Sequence, residues 1–347
     1  MVRVLRLKKE QAQKAKEYLQ QKGWFAANIV VGRSAQRYVL LPLNEKVKEA
    51  DLLKKFSPAT IETRNLKPQA PTSGNLKYLL RDVVPEEKVD EIIRSYDVVG
   101  DICILEIPED LQQFELTIGH AIKRAFPNIK VVARKNGKRT EIERVMPLKI
   151  ITGEKRLTTI HKEHGVSMKI DLSKVYFSPR ASAERLRLAQ LVKPHEKILV
   201  MFSGICPYAL VIAKMQPNCS IWAVELNEDA HKLAEENARL NRLSHLVYPI
   251  LGDVAKEVPK IGEKFDRIIM PFPEKDWDYL DLALRYAASG GMIHAVFFVE
   301  EGKLDEVRKK ILGIANRVNQ KVQIKNWHIM GSYSPGSNRY TFDILVK

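Results

Sequence analysis

The chain has 347 residues, of which 45% are apolar and 29% charged, enough for two or three domains with real cores. No apolar run reaches the roughly 18 residues of a membrane span, MVRVLRLKKEQAQKAK lacks the apolar stretch of a secretory signal, and Cys103, Cys206 and Cys219 fit neither a disulfide framework nor a zinc site. The net charge of +15 is spread along the chain, so folded surfaces carry it and a polyanion is the natural partner.

RNA or DNA therefore comes first, a membrane surface second, and plain solubility remains the bland alternative. The expected location is the cytoplasm, with no metal site and no membrane contact.

In chain order, VRVLRLKKEQAQKAKEYLQQKGWF predicts a strand and an amphipathic helix stopped by glycine. NIVVGRSAQRYVLLPLN predicts a two-strand hairpin with Gly32, Arg33 and Ser34 at its turn. These residues form a first unit, 1–67. The aperiodic, Pro- and Ser-rich stretch around Asn65–Gly74 marks a linker, placed at 68–76. A second unit, 77–174, contains the strand-like YDVVGDICILEIP, a helix from Leu111 to Phe126, and the strands NIKVVARK, LKIITGE and SMKIDLSKVYF. Its basic turn, Lys135 to Arg139, is a phosphate contact or a solvated hairpin tip.

The third unit, 175–347, alternates strands and helices. After the helix ASAERLRLAQLV, the stretch from Lys197 to Asp253 reads strand, glycine turn, helix, strand ending in an acid, helix, strand ending in an acid. That order builds an adenosine pocket at the carboxyl edge of a doubly wound sheet. Glu225 can accept hydrogen bonds from both ribose hydroxyls, and Asp253 can receive an adenine amino group. Phe202-Ser203-Gly204-Ile205-Cys206 forms the turn, where a side chain at Gly204 would obstruct the ligand. Singly, Gly204 is an ordinary turn and Glu225 a solvated strand end. Together they favour S-adenosylmethionine over a dinucleotide, since no G-x-G-x-x-G or phosphate loop occurs. DRIIMPFP is the fourth strand, followed by a helix through Ala288. GGMIHAVFFV is the fifth strand, Gly302 to Ala315 a helix, and NWHIMGSYSPGSNRYTFDILVK a closing pair of strands.

TTIHKEHG, KVYFSPRASAER, MFSGICPY, LNEDAHKLAEENARLNR, PILGD and RIIMPFP follow one another here. With VVGDICILEIPEDL upstream, this series resembles the archaeal-type tRNA (guanine(37)-N1)-methyltransferase family and its wyosine-pathway relatives. The likeness runs from about Tyr96 to the carboxyl terminus. It implies a class I methyltransferase fold, Rossmann-like α/β with a mixed seven-stranded sheet, preceded by two smaller α+β domains. It implies S-adenosyl-L-methionine as cofactor, held by Phe202, Ser203, Gly204, Glu225, Leu226, Asp253, Val254 and Pro271. The first unit would dock on the tRNA elbow and the rest on the anticodon stem-loop, as a monomer needing no protein partner.

The chemistry asks for a carboxylate to take the guanine N1 proton and a cation to hold O6. The resemblance assigns these roles to Glu184 and Arg144. Their bland alternatives are an i,i+3 partner of Arg187 on a solvated helix face, and one more basic surface residue. Arg180 could hold a phosphate or orient Glu184; Tyr176 and Pro273 would flank the substrate. Tyr176, Phe177 and Tyr208 could stack on a splayed base or pack in the core. The sequence departs from the family at Val200, at Cys206 where relatives carry glycine, and at Pro271, where a base-contacting Asn is usual. Two alternatives remain: a wyosine-pathway enzyme, transferring an aminocarboxypropyl group or methylating a tricyclic guanosine derivative, and a non-catalytic tRNA-binding protein.

Overall fold

The computed structural model describes residues 2–26, 32–34, 38–66, 79–80, 84, 88–89, 96–137, 140, 145–272, 276–334 and 336–347. Two compact units are present, Met1–Asp82 with Arg124–Phe126, and Val83–Lys123 with Pro127–Lys347. The expected linker 68–76 lies outside the described residues.

In the first unit, β1 (Val2–Lys8) lies between β3 (Tyr38–Pro42) and β4 (Thr60–Arg64), and β2 (Gly32–Ser34) flanks β3. The apolar side chains Leu5, Leu7, Ala15, Leu19, Leu41 and Leu52 form its core with α1 (Lys9–Gln21) and α2 (Glu49–Lys55). Gly32, Arg33 and Ser34 are paired with Leu40, Val39 and Tyr38, so they belong to a strand and not to the expected turn.

The second unit opens with a four-stranded sheet in the order β5 (Tyr96–Val99), β6 (Ile102–Leu105), β7 (Val131–Lys135), β8 (Leu148–Gly153). The expected strand YDVVGDICILEIP is a hairpin, because Gly100 takes φ +57° and reverses the chain between β5 and β6. The helix expected from Leu111 begins as a 3₁₀ turn, Glu109–Phe114, and becomes α3 at Glu115–Ala125. SMKIDLSKVYF is extended only to Asp171, where β10 (Val166–Asp171) ends after pairing with β9 (Thr158–Glu163).

From Lys197 the chain winds a seven-stranded sheet in the order β13-β12-β11-β14-β15-β17-β16. These are β11 (Lys197–Met201), β12 (Ser220–Glu225), β13 (Val247–Leu251), β14 (Phe265–Met270), β15 (Ala287–Glu300), β16 (Val322–Ser334) and β17 (Ser337–Val346). The first five are parallel, and β17 is antiparallel to both β15 and β16. Central strands read as continuous apolar runs, such as Ile198 to Met201, because helices cover both faces.

One face carries α4 (Ser182–Leu191), α5 (Pro207–Met215) and α6 (Glu228–Leu240), whose core includes Leu188, Leu210 and Ala234. Val99, Ile102 and Val131 of the smaller sheet share this core. The other face carries α7 (Val254–Ile261), α8 (Asp276–Tyr286) and α9 (Leu304–Arg317) around Phe265, Phe297 and Phe342. The helix expected to reach Ala288 stops at Tyr286, where β15 begins.

Side-chain amides fix the β9–β10 hairpin against α6. Asn237, fully buried, accepts from Lys169 N and donates to Lys169 O, and Asn241 does the same with Ser167. Two asparagines one helical turn apart thus act as a surrogate neighbouring strand for β10.

Candidate active site

The glycine turn sits where β11 ends. Ser203 N donates to Val224 O at 2.9 Å, which ties the turn to the neighbouring strand. Phe202, Gly204 and Cys206 all have positive φ, 53°, 55° and 64°. A Cβ on Gly204 would meet only Tyr176 O, at 4.0 Å, so the turn faces open space. Cys206 takes the left-handed conformation that relatives are expected to give to glycine. It is fully buried, and burial pushes its thiol up to about 12, so it acts as a packing residue and not as a nucleophile.

Glu225 ends β12 and organises this edge. Its Oε2 accepts from Gly204 N at 2.6 Å and its Oε1 from Asn227 N at 2.8 Å. Burial raises its pKa, and the main-chain donors partly oppose that. Each oxygen retains lone-pair capacity for a hydroxyl donor. Leu226 beside it is 58% exposed, an apolar surface at the strand end. Asp253 caps α7 by accepting from Ala255 N at 2.9 Å, and Val254 behind it is buried. Phe202 packs edge-on against Phe272 and Tyr279, with ring centroids 5.5 and 5.2 Å apart. Phe272, which sequence reasoning passed over, therefore anchors the Pro271 segment to the glycine turn. These features fit an adenosine-bearing ligand: an open glycine turn, an acid with free lone pairs and an exposed apolar wall.

The KVYFSPR segment borders the same turn. Its Lys174 O accepts from Asn227 Nδ2 at 3.1 Å, and Tyr176 follows, 40% exposed. Arg185, 2% exposed, locks the segment in place. It donates to both oxygens of Glu163 at 2.5 and 2.8 Å and to Ser178 O, and it lies over the Phe177 and Tyr208 rings. Burial would raise the Glu163 carboxyl, but its bonds to His161 and Arg185 hold it at about 2. Arg185 is not among the residues expected from sequence; its adjacency to Glu184 was the available signal. Tyr208, weighed as a stacking residue, is buried and belongs to the core. Arg180 donates to Asp97 at 2.6 Å, so it braces β5 and does not orient Glu184 in this arrangement. Arg144 and Pro273 lie outside the described residues.

Glu184 is 7% exposed on α4. Arg187 grips it through two bonds, Nε to Oε2 at 2.8 Å and Nη2 to Oε1 at 2.7 Å. The i,i+3 pairing weighed as the bland alternative is present, but on a buried face instead of a solvated one. Arg187 in turn donates to both oxygens of Asp343 on β17, at 2.9 and 3.0 Å. Burial would raise Asp343, yet bonds from His294 and Arg187 hold it far below the usual carboxylate range.

Beneath lies His294, fully buried, with Nδ1 2.6 Å from Asp343 and Nε2 2.6 Å from Arg267 Nη1. A guanidinium can only donate, so Nε2 accepts and Nδ1 carries the proton towards Asp343. Burial lowers the His294 pKa and favours that neutral ring, against the pull of Asp343. Glu196 completes the chain by pairing with Arg267 at 2.7 and 2.9 Å.

Known proteins match the chain in sequence and in fold. A model of the TRM5/TYW2 methyltransferase domain matches residues 159–324, and one of the TYW2 N-terminal domain matches 76–156. The tRNA (guanine(37)-N(1))-methyltransferase Trm5b of Pyrococcus abyssi is 35% identical over 269 residues, 76% of this chain and 78% of its own. Its crystal structure superposes with a TM-score of 0.75 and 29% identity over all of both chains. The structure of aTrm5 in complex with tRNALeu gives 0.70 at 26% identity, covering 99% of each. That of Methanocaldococcus jannaschii TYW2 in complex with AdoMet gives 0.57 at 25%, covering 73% of this chain and 99% of that one.

The fold, with its glycine turn and strand-end acid at the carboxyl edge, is that of a class I S-adenosylmethionine-dependent methyltransferase. Within that class, the chain belongs to the TRM5/TYW2 family of tRNA (guanine(37)-N(1))-methyltransferases.

Proposed function

We propose that this enzyme transfers a methyl group from S-adenosylmethionine to N1 of guanosine 37 in tRNA. The observation that carries the reading is the buried Glu184 carboxylate, gripped by Arg187 on the helix that follows the segment bordering the Gly204 turn. Bound S-adenosylmethionine supplies an electrophilic methyl group on a sulfonium. The chain's residues do the rest. Glu225 holds the ribose hydroxyls through its remaining lone pairs, and Leu226 walls the adenine beside Asp253, with the buried Val254 packing behind that acid. Glu184 takes the N1 proton while the electron pair of that bond becomes the nucleophile and charge grows on O6. Arg187 fixes both carboxylate oxygens, so the base waits in one orientation. Arg144 holds O6, and Tyr176 with Pro273 flanks the base. The net charge of +15 attracts the RNA.

Nucleoside mass spectrometry of unmodified tRNA after incubation with protein and cofactor tests this directly. N1-methylguanosine at position 37 is expected. An aminocarboxypropyl product, or methylation only of a tricyclic guanosine derivative, would move the chain to the wyosine pathway. No transfer at all would leave a tRNA-binding protein. In the same assay Glu184→Gln should lower kcat by about 10²–10⁴-fold, the usual worth of a positioned base, with little change in tRNA affinity. A kcat within threefold of the parent would remove Glu184 from the chemistry.

A further inference from the structure

Two buried polar atoms on the α4 face of the large sheet have no hydrogen-bond partner, Arg339 Nε and Thr341 Oγ1. They belong to alternate residues of β17 and share the face that bears Asp343. Other buried or half-buried arginines meet carboxylates: Arg134 with Glu115, Arg156 with Asp101, Arg185 with Glu163, Arg267 with Glu196. Arg339 has no ion pair with any described residue. A desolvated donor left without a partner is disfavoured by about 1–3 kcal/mol, and at Arg339 Nε no hydrogen bond or ion pair with a described residue offsets that.

Position along the sheet says what the cation faces. Helix α4 descends from the carboxyl edge, since its Arg187 meets Asp343 while its last carbonyl, Leu191 O, meets Arg267 lower on the sheet. Glu184 lies one turn before Arg187, about 4.5 Å closer to the carboxyl edge. Arg339 lies four residues before Asp343 on a strand running the same way, about 13 Å closer to that edge. Both are displaced from one ion pair towards the edge where the Gly204 turn opens. Burial raises the pKa of the Tyr208 hydroxyl, with Arg185 and Arg339 opposing that rise and Glu184 adding to it.

We propose that Arg339 binds an anionic oxygen of the target nucleotide, either guanine O6 as N1 loses its proton or the adjoining phosphate. The inference rests on the proposed methylation of guanosine 37. It makes β17 a contributor to substrate binding, at a distance in sequence from every residue so far given that role. A planar guanidinium with no internal carboxylate is suited to such an oxygen, and Pro271 offers only a carbonyl.

The test uses the full chain with Arg339→Met and Arg339→Gln, and tRNA transcripts carrying guanosine or 6-thioguanosine at position 37. Neither variant removes an internal ion pair, so both should melt at or above the parent temperature. Both should lose about 10²-fold in kcat/KM. If O6 is the ligand, the loss falls on kcat, and the sulfur substitution slows the parent but adds little to the variants. If a phosphate is the ligand, the loss falls on KM and the salt dependence of tRNA binding weakens by about one counterion. Unchanged kcat, KM and salt dependence would overturn the proposal and leave a trapped water as the partner of Arg339 Nε. A clear drop in melting temperature would overturn it too, by exposing an internal partner. Parent enzyme that makes no N1-methylguanosine would instead defeat the functional reading beneath it.

Discussion

The cofactor side of the site is assembled from neighbours, the substrate side from strangers. Around Glu225 the partners are the main chain of Gly204 and Asn227, each within 21 residues, and the geometry follows from strand, turn and helix cap. Around Glu184 the decisive partner of its partner is Asp343, 156 residues beyond Arg187. The first arrangement is a property of a short segment. The second exists only once the whole sheet has closed, because β17 must insert between β15 and β16 to bring Asp343 under α4. Main-chain donors cannot be mutated away, whereas a chain of ion pairs can be altered one side chain at a time. Variation in substrate handling is therefore easier than variation in cofactor handling.

Replacing Glu225 tests the short-range half and should have the largest effect. Glu225→Ala removes the acceptor of the Gly204 and Asn227 amides and, on the proposed reading, of both ribose hydroxyls. Hydrogen bonds to a charged group are each worth about 1.5–3 kcal/mol, so cofactor affinity should fall by about 10²–10⁴-fold in calorimetric titration. The raised pKa of Glu225 adds a sign: affinity should begin to fall at a higher pH than an ordinary carboxylate would dictate, because the protonated form offers one acceptor fewer. Affinity within threefold of the parent at neutral pH would show that the turn holds the ligand without its acid.

Asp343→Asn tests the long-range half, with a smaller effect expected. Asn can still accept one bond from Arg187, but it cannot accept from Arg187 twice and from His294 as well. Arg187 then holds Glu184 less firmly, and kcat should fall about tenfold while cofactor and tRNA affinities stay near the parent values. Equal losses in kcat and in both affinities would point to a general loosening of the sheet. That would break the claimed division between a cofactor half and a substrate half.

The same contrast decides what could be seen in the sequence. Glu225 and Asp253 were legible because acids at strand ends repeat at a fixed place in an α/β alternation. The seven strands were legible through their apolar runs, and the closing hairpin through its position. The Arg187–Asp343–His294–Arg267 chain was not, since nothing local distinguishes an arginine on a helix face from one that will be buried against a distant strand. Residue pairing at i,i+3 was foreseen for Glu184, but not its burial, which depends on the sheet beneath. The hairpin turn was misplaced onto Gly32–Ser34 because glycine marks permitted conformations, and only the register with Tyr38–Leu40 reveals which are used.

Asp276 offers the smallest effect and tests the segment that joins the halves. It begins the helix after the Pro271 segment, is completely buried, and accepts from Val296 N at 2.9 Å through Oδ2 while Oδ1 has no partner. Burial raises its pKa well above the ordinary value, against the bonds to Val296 and Phe272. A carboxyl whose pKa is raised on folding contributes stability that is fully present below its unfolded pKa and lost as pH climbs through the folded value. Stability of the parent should therefore decline as pH rises from the ordinary carboxylate range. Asp276→Asn keeps the acceptor for Val296 N and cannot ionise, so it should match the parent at low pH and exceed it by about 1–3 kcal/mol at high pH. Denaturant titrations between pH 4.5 and 8.5 would read the difference. Parallel stability curves for the two proteins would mean that Asp276 has found a counter-charge, and that the Pro271 segment is pinned electrostatically instead of by the Phe202–Phe272 contact.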